Sequence, residues 1–300
     1  MYSKRFKKLV NQFFKDHKIF KTPFKNKELF NNKTILITGG AGSIGSILAL
    51  KLITFNIEKL VIIDNNEYSI FKLKRQIENK YKSKIDIRFL SILNKTLLDK
   101  NFKKYKFDYV YNCAAIKHVD IAEENKEETY RINVTGTLNL LNLSKKYSVK
   151  KFIFISSDKA FYPKGIMGKS KLLAEKKVLN FKNQKTELKI LRFPNVITSS
   201  GSILEIIYDC INQKKIFELK NKNLIRYFIF KHDTLNFILK ATDTNYSKKI
   251  IILNHVKSKK IIDLCKFMKS KLNLKYKITK LPKFEKISEN YSNIKNKIFI

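Results

Sequence analysis

The chain has 300 residues, of which 44% are apolar, so it can bury a full core and is not an intrinsically disordered protein. Its 63 lysines and arginines against 25 aspartates and glutamates give a formal net charge of +38, which attracts anionic partners of several classes. No apolar run approaches the roughly 20 residues of a membrane-spanning helix, and the three cysteines form no C-x-x-C pair, which disfavours a disulfide framework or a metal site and is typical of a cytoplasmic protein.

Residues 1–32 form a basic N-terminal arm with one amphipathic stretch. Apolar residues recur there at the spacing of a single helix face, namely Phe6, Leu9, Val10, Phe13 and Phe14. This face either packs on the main domain or a second subunit, or lies on an anionic membrane surface. We favour packing, because phenylalanine-rich faces are common packing surfaces, and keep peripheral membrane contact through residues 1–30 as the alternative.

From Lys33 onward, apolar strands alternate with amphipathic helices. The pattern predicts strands at 34–38, 59–64, 86–90, 109–115, 151–157 and 188–193. It predicts helices at 44–55, 67–81, 121–147 and 169–181. Such alternation indicates an α/β fold with a doubly wound parallel sheet of the Rossmann type over residues 33–196. Residues 197–300 form a smaller C-terminal α/β region, with a strand near 250–254 returning to the main sheet.

A glycine-rich turn follows the first predicted strand and opens a helix. Gly39, Gly42 and Gly45 have the G-x-x-G-x-x-G spacing, with Ser43 and Ile44 between the last two. Glycine permits a tight turn and lets the backbone approach a pyrophosphate, whose charge then lies at the helix N-terminus. The segment therefore predicts a dinucleotide site in the 33–196 domain.

Asp64 ends the second predicted strand, 19 residues after Gly45. A carboxylate at that place accepts hydrogen bonds from an adenosine ribose and repels a 2′-phosphate. We therefore expect NAD rather than NADP.

Two further stretches, NCAAIKHVDIAEEN (112–125) followed by NVTGTLNLL (133–141), and ISSDKAFYPKGIMGKSKLLAE (155–175), make the interpretation more specific. Together with TGGAGSIGS they resemble the extended short-chain dehydrogenase/reductases. More narrowly, they resemble the CapD-type polysaccharide-biosynthesis branch, the UDP-N-acetylglucosamine 4,6-dehydratases. The resemblance runs from about Lys33 to about Ala241 and is weaker beyond.

The resemblance implies a catalytic set. Ser157 takes the position that bonds the sugar near its 4-hydroxyl, Asp158 and Lys159 take the acid/base pair, and Lys171 bonds the nicotinamide ribose. The usual tyrosine base, four residues before the lysine, is replaced by Met167, as in the configuration-retaining members. We take Asp158, acting through Ser157, as the candidate base for the 4-hydroxyl.

The resemblance also implies two sets of binding residues. The cofactor set adds to the glycine loop and Asp64 the following residues: Ala114, Ala115, Lys117, Lys171, and Asn133, which braces the active-site strand. The substrate set is His118, Asn195 and Arg226, of which Asn195 and Arg226 match positions expected to touch the UDP diphosphate or ribose. The 197–300 region is then mostly substrate-binding. Ser91 and Ser200 depart from the family pattern, where an aspartate facing adenine and an arginine are usual.

The implied function is a lyase reaction: dehydration of UDP-N-acetylglucosamine or a similar UDP-hexose through transient C4 oxidation by bound NAD, in surface polysaccharide or glycan biosynthesis. One alternative is a UDP-sugar 4-epimerase on the same fold, and a second is a non-catalytic NAD-binding homologue. The substrate partner is a UDP-sugar, and relatives imply a homo-oligomer. Nucleic acid is not expected, because the basic residues are overwhelmingly lysine and are spread along the chain. We expect a cytoplasmic protein, or one associated with the cytoplasmic face of a membrane.

Overall fold

The computed structural model describes residues 2–20, 22–182, 185–245, 247, 249–289 and, as backbone, 297–299. Its strands in chain order are β1 (Thr34–Thr38), β2 (Lys59–Asp64), β3 (Ile85–Phe89), β4 (Tyr109–Asn112), β5 (Lys151–Ser157), β6 (Glu187–Phe193), β7 (Asn195–Val196), β8 (Phe217–Leu219), β9 (Ile225–Ile229), β10 (Lys249–Ile252), β11 (Ser258–Lys260), β12 (Tyr276–Ile278) and β13 (Lys297–Phe299).

The helices are α1 (Lys4–Phe13), α2 (Ser43–Leu52), α3 (Glu67–Lys74), α4 (Lys95–Tyr105), α5 (Val119–Glu124), α6 (Lys126–Tyr130), α7 (Thr137–Lys146), α8 (Ile166–Leu179), α9 (Ile203–Asn212), α10 (Lys231–Asp243) and α11 (Ile261–Leu272). A π-helical turn, Arg131–Gly136, joins α6 to α7.

Eight of the described strands form one parallel sheet in the order β13-β10-β6-β5-β4-β1-β2-β3. Successive side chains of β1 point to opposite faces of the sheet. Ile35 and Ile37 belong to the apolar cluster on one face, and Leu36 belongs to the cluster on the other face. Helices α2 and α10 pack on the first face, and α4, α7 and α8 on the second. Both faces are covered, so the predicted doubly wound Rossmann architecture is confirmed.

Two predicted helices differ from the structure. The helix predicted over 67–81 ends at Lys74, and the one predicted over 121–147 is broken at Asn125, whose φ of −124° and ψ of 58° are not helical. The π-helical turn that follows is closely packed, because a Cβ on Gly136 would approach the side chain of Ile92. Hydrophobic periodicity did not predict either change.

The remaining strands belong to the C-terminal region. There, β11, β9 and β7 form a three-stranded sheet, and β12 pairs with β8. Helices α9 and α11 bury a third apolar cluster against them. The strand predicted near 250–254 is β10, which pairs in parallel with β6 and ties this region to the main sheet.

The N-terminal arm packs along the same chain. Phe6, Val10 and Phe14 are buried in the third cluster, where the Phe14 ring lies 4.8 Å from that of Phe228. Farther along, the backbone amides of Ile19 and Phe20 donate to the buried Asp233 carboxylate. The apolar face of α1 therefore covers protein, as the first alternative predicts. In the part of the chain described, no helix combines the length and apolarity needed to cross a membrane.

Candidate active site

A cleft of about 1040 Å³ opens at the carboxyl ends of the parallel strands, between the main sheet and the C-terminal region. Loops after parallel strands meet at this edge of an open α/β sheet, where ligands bind. Most of the predicted site residues line it, namely Gly39, Gly42, Ser43, Ile44, Gly45, Asp64, Ala114, Ala115, Lys117, His118, Ser157, Lys159, Met167, Lys171, Asn195 and Arg226. Asn133 and Asp158 are not part of that lining.

The glycine loop between β1 and α2 leaves no room for a side chain at Gly39 or at Gly45. Gly39 has a φ of +62°, and a Cβ on it would lie 2.6 Å from the backbone of Ala114. Gly42 caps α2, so the first amides of that helix point to the cleft. A pyrophosphate would find hydrogen-bond donors and the positive end of a helix dipole at this place.

Asp64, at the end of β2, fixes the same loop. One carboxylate oxygen accepts the amide of Ala41 at 2.9 Å, and the other accepts the amide of Asn66 at 2.9 Å. The carboxylate also lines the cleft. It therefore presents negative charge where the sequence places the adenosine ribose, and the residues present fit a dinucleotide.

The triplet at the end of β5 is connected by hydrogen bonds. Ser157 Oγ donates to Asp158 Oδ1 at 2.9 Å, and Lys159 Nζ lies 3.3 Å from the same oxygen. Lys159 Nζ also donates to Asn195 Oδ1 at 3.4 Å, so the predicted substrate residue meets the predicted acid/base pair. Both Ser157 and Lys159 face the cleft.

Asp158 differs from its two neighbours in exposure. Its side chain is 1% exposed, against 21% for Lys159, and its second oxygen is buried without a hydrogen-bond partner in the described structure. A group so placed reaches a substrate through Ser157 or Lys159 rather than by direct contact.

Lys171 points from α8 toward the end of β5. Its Nζ donates to the carbonyl oxygen of Ile155 at 2.8 Å, and burial lowers its pKa to about 8. Met167, one helical turn earlier, is buried and lines the cleft. The place of the usual tyrosine thus holds an apolar side chain that cannot accept a proton.

The side chain of Asn133 holds the loop after β4. Its side chain accepts the amide of Ile116 at 2.9 Å and donates to the carbonyl of the same residue at 3.1 Å. It also donates to Ser170 Oγ on α8 at 2.9 Å. The π-helical turn therefore links the loop after β4 to α8, the helix that carries Lys171.

Residues 199–201 reach across the cleft to the glycine loop. Ser200 donates its amide to Ser43 Oγ at 2.9 Å, and its carbonyl accepts from Lys117 Nζ. The His118 ring lies against Gly201, and burial, with Lys117 nearby, lowers the pKa of that histidine. Ser200, where the family usually has an arginine, thus lies beside the glycine loop.

Sequence reasoning assigned no site residue in the segment 282–289, whose Phe284, Glu285, Lys286 and Glu289 line the cleft. Glu285 lies near Arg226 on β9 and near Lys220. The only signal was PKFEK (282–286), which loosely resembles the family's R-P-G-E-K.

Comparison with known proteins gives one family. The family described as "polysaccharide biosynthesis protein" matches residues 35–296. The capsular polysaccharide biosynthesis protein CapD of Staphylococcus aureus is 33% identical over 239 residues, covering 78% of this chain and 40% of that protein. The chain thus spans well under half the length of that relative.

Two further relatives have different names. An inverting UDP-N-acetylglucosamine 4,6-dehydratase of Campylobacter jejuni is 29% identical, covering 87% of this chain and 78% of that protein. A UDP-glucose 4-epimerase of Rickettsia canadensis is 30% identical, covering 71% and 63%. Among solved structures, Pen from Bacillus thuringiensis superposes with a TM-score of 0.80 at 24% identity, covering 86% and 81%, which supports the fold.

Proposed function

The chain belongs to the polysaccharide biosynthesis protein family, and from that premise we propose that it is a nucleotide-sugar 4,6-dehydratase that acts on UDP-N-acetylglucosamine or a similar UDP-hexose with bound NAD. The observation that carries the proposal is one cleft in which the glycine loop, Lys171 and the Ser157-Asp158-Lys159 triplet meet. We further propose that residues 33–196 hold the dinucleotide and that residues 197–300 mostly hold the UDP-sugar.

The amides at the start of α2 and the carboxylate of Asp64 would hold the cofactor. NAD held there would supply the hydride acceptor for C4 and the hydride donor for C6. The carboxylate favours NAD, because it would accept ribose hydroxyls and repel a 2′-phosphate. Lys171 would donate a hydrogen bond to the nicotinamide ribose.

Ser157 and Asp158 would remove the proton of the sugar's 4-hydroxyl. Ser157 Oγ faces the cleft and already donates to Asp158 Oδ1, so it takes the substrate proton as it passes its own to the carboxylate. Two short proton transfers then replace the missing tyrosine, and Met167 does not need to take part. Asp158 ends protonated, and the sugar oxygen loses its proton as C4 becomes a ketone.

Lys159 would serve C5 and C6. It is the ionisable member of the triplet that faces the cleft, and the C4 ketone makes the neighbouring C5 proton acidic. In its neutral form the amine takes that proton, then gives a proton to the departing C6 hydroxyl, which leaves as water. The elimination leaves the amine neutral again. When hydride returns to C6, C5 takes a proton from Lys159, which in turn receives the proton left on Asp158, so protons balance over the whole reaction.

A UDP-sugar 4-epimerase is the second candidate, because a relative of that name is 30% identical over a large share of the chain. An epimerase returns hydride to C4 and needs no group at C5 and C6. Lys159 bound to Asp158 and Asn195 in the cleft favours the dehydratase. If the protein is instead a non-catalytic NAD-binding homologue, the contacts of Lys159 with Asp158 and Asn195 are a structural salt bridge and hydrogen bond.

The experiment that tests the proposal is mass spectrometry of the product made from UDP-N-acetylglucosamine and NAD in heavy water. A dehydratase yields a product lighter by one water that carries deuterium from solvent. A product isobaric with the substrate selects the epimerase. Unchanged substrate, also with other UDP-hexoses, selects the non-catalytic homologue.

A further inference from the structure

The segment 284–289 connects the two halves of the cleft. Ile287 accepts the amide of Ile225 on β9 at 2.8 Å, and Lys286 Nζ donates to the carbonyl of Phe161, just after the catalytic triplet, at 2.8 Å. Phe284 packs at Gly165, before α8. Between these anchors, the side chain of Glu285 enters the cleft lining.

Glu285 lies between two cations without forming a hydrogen bond to either. Its Oε1 is 3.7 Å from Lys220 Nζ, and its Oε2 is 3.9 Å from Arg226 Nη2. The side chain is 17% exposed, and Oε2 is buried with no hydrogen-bond partner among the described residues. A desolvated carboxylate oxygen with unused acceptor capacity is held by charge alone.

Arg226 itself is positioned by other groups. Its Nη1 donates to the carbonyls of Ile225 at 2.8 Å and Ile287 at 3.2 Å, while Lys220 also contacts Asp120 at 3.1 Å. Glu285 is therefore not needed to orient the guanidinium. Its contribution is negative charge, next to two cations that face the same cleft.

We propose that Glu285 is the resident counter-ion of the diphosphate subsite: it neutralises Arg226 and Lys220 in the free protein and is displaced by the diphosphate of the substrate. This inference rests on the proposed function, which makes a diphosphate the ligand. A diphosphate carries more charge than a carboxylate and offers oxygens at hydrogen-bond distance, so it replaces a loosely held partner. The displacement lowers the observed affinity, since binding must first break the contacts of Glu285.

The test compares the wild type with Glu285→Gln by titration calorimetry with two probes, UDP and inorganic pyrophosphate. Glu78→Gln is the matched control, since it removes the same charge from an exposed pair with Lys80 away from the cleft. Glu285→Gln is expected to bind both probes about three- to tenfold more tightly than the wild type. The control is expected to bind both as the wild type does.

Weaker binding of the probes by Glu285→Gln would overturn the inference, because it would mean that the carboxylate positions the cations for the ligand. Equal binding would overturn it too. A third outcome is that Glu285→Gln binds pyrophosphate more tightly than the wild type while neither protein binds UDP. This result would support the counter-ion role of Glu285 and count against the nucleotide-sugar function. A titration with NAD reports whether the variant retains its fold.

Discussion

Ser157 Oγ donates its hydrogen to Asp158 Oδ1 over 2.9 Å, and of the two side chains it is the serine that faces the cleft. The hydroxyl thus stands between the cleft and a buried carboxylate, as the proposed relay requires. With this relay, the enzyme can be active although Met167 replaces the usual tyrosine base.

Asp158→Asn removes the proton acceptor and keeps the side-chain volume. We expect turnover to fall about 10²–10⁴-fold, with NAD binding unchanged, and steady-state rates together with NAD titrations measure both. Asp99→Asn is the control, because Asp99 pairs with Lys146 on a surface away from the cleft. Turnover retained by Asp158→Asn would exclude the relay.

Lys159→Ala removes the group assigned to C5 and C6. We expect no product lighter by one water, while NAD still binds, because Lys159 contacts Asp158 and Asn195 rather than the glycine loop. Lys169→Ala, on the exposed side of α8, is the matched lysine control. If Lys159→Ala loses NAD binding instead, the role assigned to Lys159 is wrong.

The buried Lys171 gives the cofactor site a pH dependence. Burial lowers its pKa to about 8, so the ammonium is charged below that pH and neutral above it. A charged donor bonds ribose hydroxyls more strongly than a neutral amine, so NAD affinity should be highest below pH 8 and fall as the pH rises through 8. Binding then raises the pKa of Lys171.

Lys171→Arg separates this effect from general alkaline destabilisation. Arginine stays charged over the whole range, so its NAD affinity, although lower, should not fall between about pH 7 and pH 9.5. Titration calorimetry at several pH values measures both profiles. A parallel fall in the two proteins would assign the pH dependence to another group.

The sequence predicted those features that adjacent residues encode. The strands at 34–38 and 59–64, the glycine loop and the Ser157-Asp158-Lys159 triplet are local patterns, and the structure places them together because parallel strands share one carboxyl edge. The contact of Ser43 with Ser200 joins residues 157 positions apart. No periodicity in either segment indicates such a contact.

Other features depended on packing. The helix predicted over 121–147 is broken at Asn125, and farther along it contains a π-helical turn from which Asn133 bonds Ile116 and Ser170. Glu285 was not assigned because its neighbours, Lys220 and Arg226, are distant in sequence and lysine is abundant everywhere in this chain. In a chain so rich in lysine, the sequence alone does not show which individual charges belong to a site.

Asp64 should decide the choice of dinucleotide. Asp64→Ser removes the carboxylate that would accept ribose hydroxyls, so NAD affinity should fall about tenfold or more. NADP affinity should fall less or rise, because the repulsion of a 2′-phosphate is also removed. The ratio of the two affinities, measured by calorimetry, is the informative quantity, since loosening of the loop at Ala41 would lower both. An unchanged ratio would contradict the assignment.

The N-terminal arm should act on the substrate half of the cleft. Phe14 is fully buried and packs on Phe228, which itself lines the cleft. Phe14→Ala leaves a cavity there and should lower the free energy of unfolding by about 3–5 kcal/mol, as measured with urea. Among folded molecules, UDP affinity should fall more than NAD affinity, because Phe228 lines the cleft from β9, the strand that carries Arg226, and not from the glycine loop.

Phe71→Ala is the control for this prediction, because Phe71 is exposed on α3 and its removal should change stability little. The alternative, in which the N-terminal arm binds a membrane surface, predicts the opposite result. If the apolar face of α1 bound lipid rather than protein, Phe14→Ala would leave the unfolding free energy unchanged and would weaken cosedimentation with anionic vesicles. A stability loss at Phe14 with no effect on vesicle binding is the result that burial against Phe228 requires.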